Sequence, residues 1–590
     1  MHRHPFYMLP GSLLLLMLMA GCATHQLSKG KTAGTKPVIY QVMVRLFGNQ
    51  DTANVFYGPI KQNGVGKFAD ITDKALDSIK SLGITHIWYT GVLEHATMTS
   101  YAACGIPDDD PDVVKGRAGS PYAVKDYYDV DPDLAVHLKD RMAEFESLVH
   151  RTHVHKLKVL MDFIPNHVAR GYHSTQKPLG VIDFGARDDT ALAFSPQNDF
   201  YYLPGSRFKV PTGVDAGGVA YSSPLKDNIF FEVPAKATGN NVFSPEPSID
   251  DWYETVKLNY GVDIEHGRIA HFSPIPPVWT KMRDILLYWA GKGIDGFRCD
   301  VAEMVPVQFW HWVIPAVKSR YPKLIFIAEA YSPEKYAHYI HYGQFDYLYN
   351  KVGLYDALKP LIKNDSGADV SRIAEVMQTQ DSISGHMLNF LENHDEQRLA
   401  SRFFAGSLTS EKAGMGLAAT ISTGPVLIYF GQELGEKAGG AEGLGGDDGK
   451  TTLFDYWGVP AMQQWANSGR FDGGGLDADQ KELRAFYKKL LHIAGSNEAI
   501  TTGRYQRLIP SALNGRQFCF LRTSEKACLL VLANFDRQQA IKTDVQLPAS
   551  VMTGNYHTAT ELMGGDKGVL VNCSLAVDVP PGGFQLWELH

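Results

Sequence analysis

Apolar runs alternate with amphipathic stretches along most of the chain. Residues 37–47, 84–90 and 158–164 are apolar and rich in β-branched side chains, which predicts three buried strands. Between the first two, an apolar residue recurs every three positions from Leu76 to Leu82, which predicts a helix. The alternation continues with predicted strands at 293–301, 324–330, 345–348, 387–391 and 426–430, and with helices at 142–149, 279–290 and 309–320.

This rhythm breaks once and later changes its period. Residues 168–260 are rich in Gly, Pro, Ser and Asn, and such a stretch is too long for a structureless loop in a compact domain. We therefore predict an inserted subdomain there. After a last amphipathic helix at 483–491, only strand-like runs follow, at 518–521, 528–534 and 584–589.

Eight strands in βα order predict an α/β fold of the (β/α)8 barrel type, because right-handed crossovers close such a sheet on itself. The inserted subdomain follows the third strand, and a C-terminal all-β sandwich domain completes the chain. The predicted domains are the first part of the barrel at 37–167, the inserted subdomain B at 168–260, the second part of the barrel at 261–502 and the β-domain at 503–590.

The N-terminal residues have a different character. The apolar run at 13–19 is too short to span a bilayer and is typical of a signal peptide. Leu-Met-Ala-Gly-Cys at 18–22 resembles the bacterial lipobox, which implies cleavage before Cys22 and lipidation of its thiol. We expect a lipoprotein signal peptide at 1–21 and a flexible tether at 22–36. The expected product is an exported membrane lipoprotein facing the periplasm or the cell surface; a signal peptide without lipidation is the alternative.

Composition and charge narrow the function classes. The formal net charge is −8, with 44% hydrophobic and 20% charged residues, which argues against a nucleic-acid surface. Beyond residue 36, no stretch of eighteen uninterrupted apolar residues predicts a membrane span. Five cysteines besides Cys22 form no CxxC pair, so a zinc or redox cluster is not expected, and Cys299 is predicted to be a buried thiol.

Titratable side chains cluster where the predicted barrel strands end. The third strand is followed by Asn166 and His167, the fourth carries Arg298 and ends at Asp300, and the fifth ends at Glu329. The seventh is followed by His394 and Asp395. Because a barrel brings the carboxyl ends of all its strands to one rim, we expect these groups to converge there as an active site.

These four segments together resemble the four signature regions of the α-amylase family, glycoside hydrolase family thirteen. Two further stretches strengthen the resemblance: residues 122–132, after the second strand, and residues 424–433, at the eighth strand and its turn. The resemblance spans about residues 37–500, and a C-terminal β-domain is usual in the family.

The resemblance implies a role for each matching residue. Asp300 would be the nucleophile, Glu329 the general acid and then the base, and Asp395 the group that holds the sugar hydroxyls and favours ring distortion. The sugar subsite would be completed by Tyr122, His167, Arg298 and His394.

Elementary chemistry agrees with this division of roles. Arg298 lies two residues before Asp300 on a strand and so points to the same face, where its charge would keep Asp300 ionised and oriented. The apolar neighbours Ile327 and Ala328 favour a protonated Glu329. One ionised and one protonated carboxyl are what retaining glycoside hydrolysis requires.

No cofactor is expected for the chemistry, and a structural calcium ion is the metal to consider. Asn166 is interpreted as a loop-capping amide or, by the resemblance, as a ligand of the family's calcium site. The acidic run at 108–112 is interpreted as a solvated loop, with a calcium site as the alternative. Asp162 is expected deeper in the barrel, holding Arg298 or the neighbouring loops.

Two departures from the family pattern leave the substrate open. Many α-amylases carry Lys-His after the nucleophile strand, and Glu303-Met304 stands here instead. Residues 256–259 only partly resemble the motif of cyclomaltodextrin- and pullulan-degrading members. The leading hypothesis is a hydrolase of α-glucans or malto-oligosaccharides, a transglycosylase is the second, and a catalytically inactive glycan-binding protein is the third.

Overall fold

The computed structural model describes residues 35–552 and 556–590. Its centre is a sheet of eight parallel strands. Their bounds are β1 Val38–Met43, β2 His86–Thr90, β3 Lys158–Phe163, β4 Gly296–Cys299, β5 Ile325–Ala328, β6 Tyr347–Tyr349, β7 Met387–Leu388 and β8 Val426–Tyr429. From β1 to β7 each strand pairs with its neighbour in chain order, and β1 also pairs with β8. A parallel bridge from Asn389 to Val426 connects β7 to β8, so the predicted (β/α)8 barrel is confirmed.

Helices surround this sheet. Those of six or more residues in the described part of the chain are α1 Asp73–Lys80, α2 Arg141–Val154, α3 Pro277–Gly291, α4 Val307–Lys318, α5 Tyr336–His341, α6 Asp356–Lys363, α7 Ser371–Thr379, α8 Ser410–Thr420, α9 Pro460–Ala466 and α10 Ala478–Ser496. In α1, the buried side chains are Ala75, Leu76 and Ile79, which form one apolar stripe against the barrel. The helical periodicity therefore identified the faces that pack inward.

Strand ends were the weakest part of the prediction. The apolar run at 37–47 was expected to be one strand, but the chain leaves β1 at Met43 and forms a short helix, Val44–Phe47. All four helical residues are buried, so an apolar run fits either structure and its periodicity cannot separate them.

The chain between β3 and α3 has little regular structure. Three short antiparallel pairs organise it: His167–Ala169 with Thr255–Lys257, Tyr202–Leu203 with Ala235–Lys236, and Val262–Asp263 with Ile269–Ala270. The first pair joins the start of this segment to its end. Thr255–Lys257 therefore lies beside the residues that follow β3, at the carboxyl end of the barrel.

The C-terminal residues form an antiparallel sheet of eight strands, so the predicted all-β domain is confirmed. The bounds are β9 Arg504–Leu508, β10 Gln517–Thr523, β11 Cys528–Asn534, β12 Ile541–Gln546, β13 Thr558–Glu561, β14 Lys567–Val571, β15 Ser574–Val579 and β16 Phe584–Leu589. In β11, Leu530 and Leu532 pack into this sheet's own core, whereas Leu529 and Val531 pack into the main core. Both faces of β11 are therefore buried, which explains its continuous apolar sequence.

Two sequence-based expectations concern other parts of the chain. Cys22, the signal peptide and most of the tether lie outside the described residues. Cys299 is buried and free, as expected for an apolar thiol, and Cys104, Cys519, Cys528 and Cys573 are free as well. No helix within 35–552 or 556–590 combines the length and the apolar character needed to cross a membrane.

Candidate active site

The predicted site residues meet in one cavity at the carboxyl end of the barrel. Its volume is about 310 Å³, at the lower end of the range for small-molecule sites. The cavity is lined by Tyr122, His167, Asp300, Glu329, His394 and Asp395, together with Lys115, Ser120, Trp252, Glu254, Thr255, Val301, Tyr331, Leu453 and Phe454. Arg298 lies buried beneath this lining.

The register between β4 and β5 places the two central carboxyl groups next to each other. Cys299 on β4 lies opposite Ala328 on β5, so the next residues, Asp300 and Glu329, emerge side by side from adjacent strands. The Glu329 N–H donates to Cys299 O over 3.1 Å, which continues the ladder to the rim. The two side chains are 8% and 5% exposed, so both carboxyls are largely buried.

Arg298 connects three carboxyl groups through one guanidinium. Its Nη1 lies 2.7 Å from Asp300 Oδ1 and 3.3 Å from Asp162 Oδ1, and its Nη2 lies 2.8 Å from Glu329 Oε2. Its Nε donates to the Tyr349 hydroxyl over 3.1 Å. Asp162 lies below the rim and holds Arg298, as expected, and it also accepts from the Trp88 indole over 3.0 Å. The guanidinium fork of Arg298 therefore contacts both rim carboxyls, with a hydrogen bond to Asp300 and an ion-pair contact to Glu329.

Burial and Arg298 act on the pKa of Asp300 in opposite directions. Burial raises the pKa of Asp300 well above its usual value, while Arg298 opposes this and Glu329 and Asp162 reinforce it. Arg298 acts on Asp300 in the expected direction, but the same guanidinium also contacts Glu329 and Asp162. One buried cation is thus shared among three carboxyl groups, and burial outweighs its effect on the pKa of Asp300.

Glu329 is held by donors from both neighbouring loops. Its Oε2 accepts the Val301 N–H over 2.6 Å, and its Oε1 accepts from the Tyr331 hydroxyl. Val301 adopts φ 36° and ψ 47°, a left-handed conformation that costs energy in a β-branched residue. This strained turn directly after Asp300 aims its N–H at Glu329, and so it links the positions of the two carboxyls.

His394 forms a second set of contacts with Tyr122 and Asp395. Its ring stacks on Tyr122 with centroids 5.2 Å apart, and its Nε2 lies 3.1 Å from Asp395 Oδ2. The Gln41 amide, 2.9 Å from Nδ1, acts as donor there and places the ring proton on Nε2. Burial lowers the pKa of His394 well below its usual value, so the ring is neutral. The Asp395 side chain is 43% exposed and open to a substrate.

His167 lines the same cavity and lies next to Trp252. Their rings meet edge to face with centroids 5.2 Å apart. Burial, and then the neighbouring Lys257, lowers the pKa of His167 to about 3. A neutral imidazole and an indole form a mostly apolar wall on this side of the cavity, suited to packing against a sugar ring.

Asn166 does not fit a calcium ion in this structure. Its Oδ1 accepts a hydrogen bond from the Lys257 ammonium, which also donates to Met304 O over 3.1 Å, and its Nδ2 donates to Gly239 O over 2.9 Å. The oxygen that calcium would need is therefore already bound by an amine. Within the described ranges, no group of three or more His, Cys, Asp or Glu is arranged to hold a metal.

We expect Lys257, and not calcium, to hold this junction together. A chelator should leave the melting temperature unchanged. Lys257→Met should lower the free energy of unfolding, since each buried acceptor left unbonded costs about 1–3 kcal/mol. The surface variant Lys323→Met serves as control in thermal unfolding. A fall in melting temperature on chelation that added calcium reverses would contradict this assignment.

Several residues that line the cavity or contact Arg298 escaped the sequence analysis. Tyr349 ends the sixth strand, so the strand-end criterion that found Asp300 could have found it. Tyr331 lies two residues beyond Glu329, past the strand. Trp252 and Phe454 lie in irregular segments, where no periodicity indicates which way a side chain points.

Comparisons with known proteins point to one family. A profile described as the catalytic domain of alpha amylase matches residues 41–448. Alpha-amylase 3 of Dictyoglomus thermophilum is 22% identical over 493 residues, covering 80% of this chain and 79% of that protein. A cyclomaltodextrinase of Thermoanaerobacter pseudethanolicus is 23% identical, covering 84% and 67%. The solved structure of an alpha-amylase from Geobacillus thermoleovorans with acarbose has a TM-score of 0.62 at 19% identity, covering 94% of this chain and 98% of that one.

Proposed function

Because this chain belongs to the α-amylase family, which acts on O-glycosyl bonds without a cofactor, we propose that it hydrolyses α-glucosidic bonds in α-glucans or malto-oligosaccharides. We assign the reaction a retaining course through a covalent glycosyl-enzyme on Asp300. The observation that carries this proposal is the Arg298 fork, which holds Asp300 and Glu329 together at the floor of one cavity.

Two adjacent carboxyls suit a two-step displacement, which uses the fraction of sites in which Asp300 is ionised and Glu329 carries the proton. The Asp300 carboxylate attacks the anomeric carbon while Glu329 gives its proton to the departing oxygen. In the second step, the ionised Glu329 takes a proton from water, which attacks the anomeric carbon and releases Asp300. The neutral His394, the Tyr122 hydroxyl and Asp395 lie where hydroxyls of the bound sugar would need partners.

The relatives named above support the proposed substrate class. An α-amylase and a cyclomaltodextrinase both match most of this chain, and the solved structure from Geobacillus thermoleovorans was complexed with acarbose. The second hypothesis, a transglycosylase, differs only in what captures the glycosyl-enzyme. The third, a glycan-binding protein without activity, would not need the ordered carboxyl pair.

The product anomer tests the mechanism. A retaining enzyme has its two carboxyls about 5–5.5 Å apart, which leaves no room for water between the nucleophile and the sugar. Maltotriose should therefore release α-anomeric product first, as read by proton NMR before mutarotation. Initial β-anomer would remove Asp300 from the nucleophile role. Analysis of longer products in the same reaction separates hydrolysis from transfer.

We also propose that the protein is an exported lipoprotein anchored through Cys22, facing the periplasm or the cell surface. The apolar run and the Leu-Met-Ala-Gly-Cys segment at 18–22 support this.

The anchor makes its own prediction. Cys22→Ser should move the protein from the detergent phase to the aqueous phase in a phase split. Cys104→Ser, which changes a cysteine within the fold, is the matched control and should stay with the wild type. Identical partitioning of the Cys22 variant and the wild type would exclude lipidation at this site.

A further inference from the structure

A second cavity, of about 430 Å³, lies next to the catalytic one. It is formed by the hairpin Val262–Asp263/Ile269–Ala270, the turn after β4 and the start of α5. Its polar lining includes Lys257, Arg268, Glu303, Lys335 and His338. None of these residues is among those that line the catalytic cavity.

Hydrogen bonds and a shared strand place this cavity near Glu329. Glu303 accepts the Tyr331 N–H over 3.0 Å, and the hydroxyl of the same Tyr331 donates to Glu329. Lys257 lies two residues from Thr255 on one short strand, and Thr255 lines the catalytic cavity. The second cavity therefore borders the residues that hold the proposed general acid.

The position of the acid tells which part of a substrate would lie there. A general acid protonates the oxygen of the leaving group, so it lies on the leaving-group side of the scissile bond. Because Glu303 of the second cavity contacts the Tyr331 that holds Glu329, we infer that the departing sugar unit or aglycone extends towards this cavity.

The charge of this cavity is not balanced. Arg268 and Lys335 form no ion pair with any carboxylate in the described part of the chain, and both side chains are exposed to the cavity and solvent. Glu303 is the carboxylate among the lining residues, and it already accepts from the Tyr331 and Ser332 N–H groups and the Ser332 hydroxyl. Two cations with unused N–H donors thus face this cavity. An uncharged glucan would not require such cations.

We propose that this cavity binds an anionic substituent, a phosphate or a carboxylate, carried by the leaving-group unit of an α-glucoside. This inference rests on the proposed hydrolase function and names its preferred substrates. Arg268 and Lys335 donate to the anion from the rim, and Tyr201, Tyr260 and Tyr339 supply part of the wall against which the unit packs.

The reaction itself is unchanged by the anion. The bond between the anomeric carbon and the leaving oxygen breaks, Glu329 supplies the proton to that oxygen, and Asp300 forms the ester. The leaving unit departs as an alcohol with its phosphate or carboxylate still ionised. The anion thus contributes binding on the leaving-group side and takes no part in bond making.

Matched substrate pairs test the proposal. Maltobionate and maltitol differ only in a carboxylate against a hydroxymethyl group on the open-chain leaving unit, and maltose phosphorylated at O6 of its reducing unit is compared with maltose. At low ionic strength, kcat/KM should be at least about tenfold higher for the anionic member of one or both pairs. The pair that shows the preference identifies carboxylate or phosphate as the recognised group. Added salt should reduce the preference.

Variants locate the preference. Arg268→Ala, Lys335→Ala and the double variant should lower the ratio of anionic to neutral kcat/KM towards one. Lys323→Ala, which removes an exposed lysine just before β5, should leave the ratio unchanged. An unchanged ratio in the double variant would overturn the assignment to this cavity.

The failures of the two proposals are distinguishable. Turnover of the neutral members with no preference for the anionic ones would refute the anion site and leave the hydrolase intact. If wild type cleaves neither member, the hydrolase proposal fails, and calorimetry on the Glu329→Gln variant still decides the anion site. Tighter binding of maltobionate than of maltitol there supports it, and equal binding rejects it.

Discussion

Asp300→Asn is expected to lower turnover at least about 10⁴-fold, the scale seen when a covalent nucleophile is removed. The amide has nearly the same shape but cannot form the glycosyl ester. Its contact with Arg298 can persist through the amide oxygen, so the cavity should keep its form. Steady-state kinetics on maltotriose, with circular dichroism to confirm folding, would measure this.

The same variant should be more stable than the wild type, in a pH-dependent way. Burial raises the pKa of Asp300, so the folded state favours its neutral form. Below the pKa of an unfolded aspartate, about 3.9, both proteins carry a neutral group and the melting temperatures should be close. As pH rises above that value, ionisation of Asp300 lowers the stability of the wild type only. The advantage of the variant should therefore grow with pH.

Two outcomes would contradict this account of Asp300. Turnover within about tenfold of the wild type would exclude a nucleophile, given the far larger effects such residues show. A stability advantage that shrinks as pH rises would mean that the folded protein favours the ionised form. Asp346→Asn is a suitable control, since Asp346 pairs with Lys318 on the outside of the barrel.

Arg298→Leu should have the second largest effect. Its guanidinium contacts Asp300, Glu329 and Asp162, so its loss leaves three buried carboxyls without that cation. We expect turnover to fall at least about 10³-fold, with a much smaller change in KM, because positioning and proton sharing are lost while the sugar contacts remain. Unfolding free energy should fall by about 3–5 kcal/mol, as when one partner of a buried ion pair is removed.

A matched control separates chemistry from stability. Arg170 is also fully buried and forms an ion pair with Glu232 over 2.7 Å, but it lies outside the catalytic cavity. Arg170→Leu should lose stability by a similar amount while the folded fraction keeps its turnover. If Arg298→Leu keeps near-normal turnover, Arg298 is a packing residue and its proposed role is wrong. Arg298→Lys keeps the charge but cannot contact two carboxyls with separate nitrogens. Its turnover should lie between those of the leucine variant and the wild type.

The chain order of apolar runs was enough to predict the barrel and the rim at which its chemistry lies. Strand alternation also predicted the contact between Arg298 and Asp300, because residues two apart on a strand share a face. These features depend on local periodicity and on the closure of a parallel sheet, and both are written in the order of residues along the chain.

Contacts between segments distant in sequence came only from the tertiary structure. Nη2 of Arg298 contacts Glu329 because of the register between β4 and β5. Lys257 reaches Asn166 because Thr255–Lys257 pairs with His167–Ala169 across about ninety intervening residues. No periodicity encodes such a pairing.

By itself, then, the sequence determined which side chains lie at the catalytic rim. Only the folded structure decided which carboxyl groups contact Arg298 there and how burial shifts their pKa values. The raised pKa of Asp300 depends on burial and on three carboxyls meeting one guanidinium, which are properties of distances and not of residue types. The cationic cavity beyond Glu329 is of the same kind: Arg268 and Lys335 are separated by more than sixty residues, and they face one space because the hairpin 262–270 folds back beside α5.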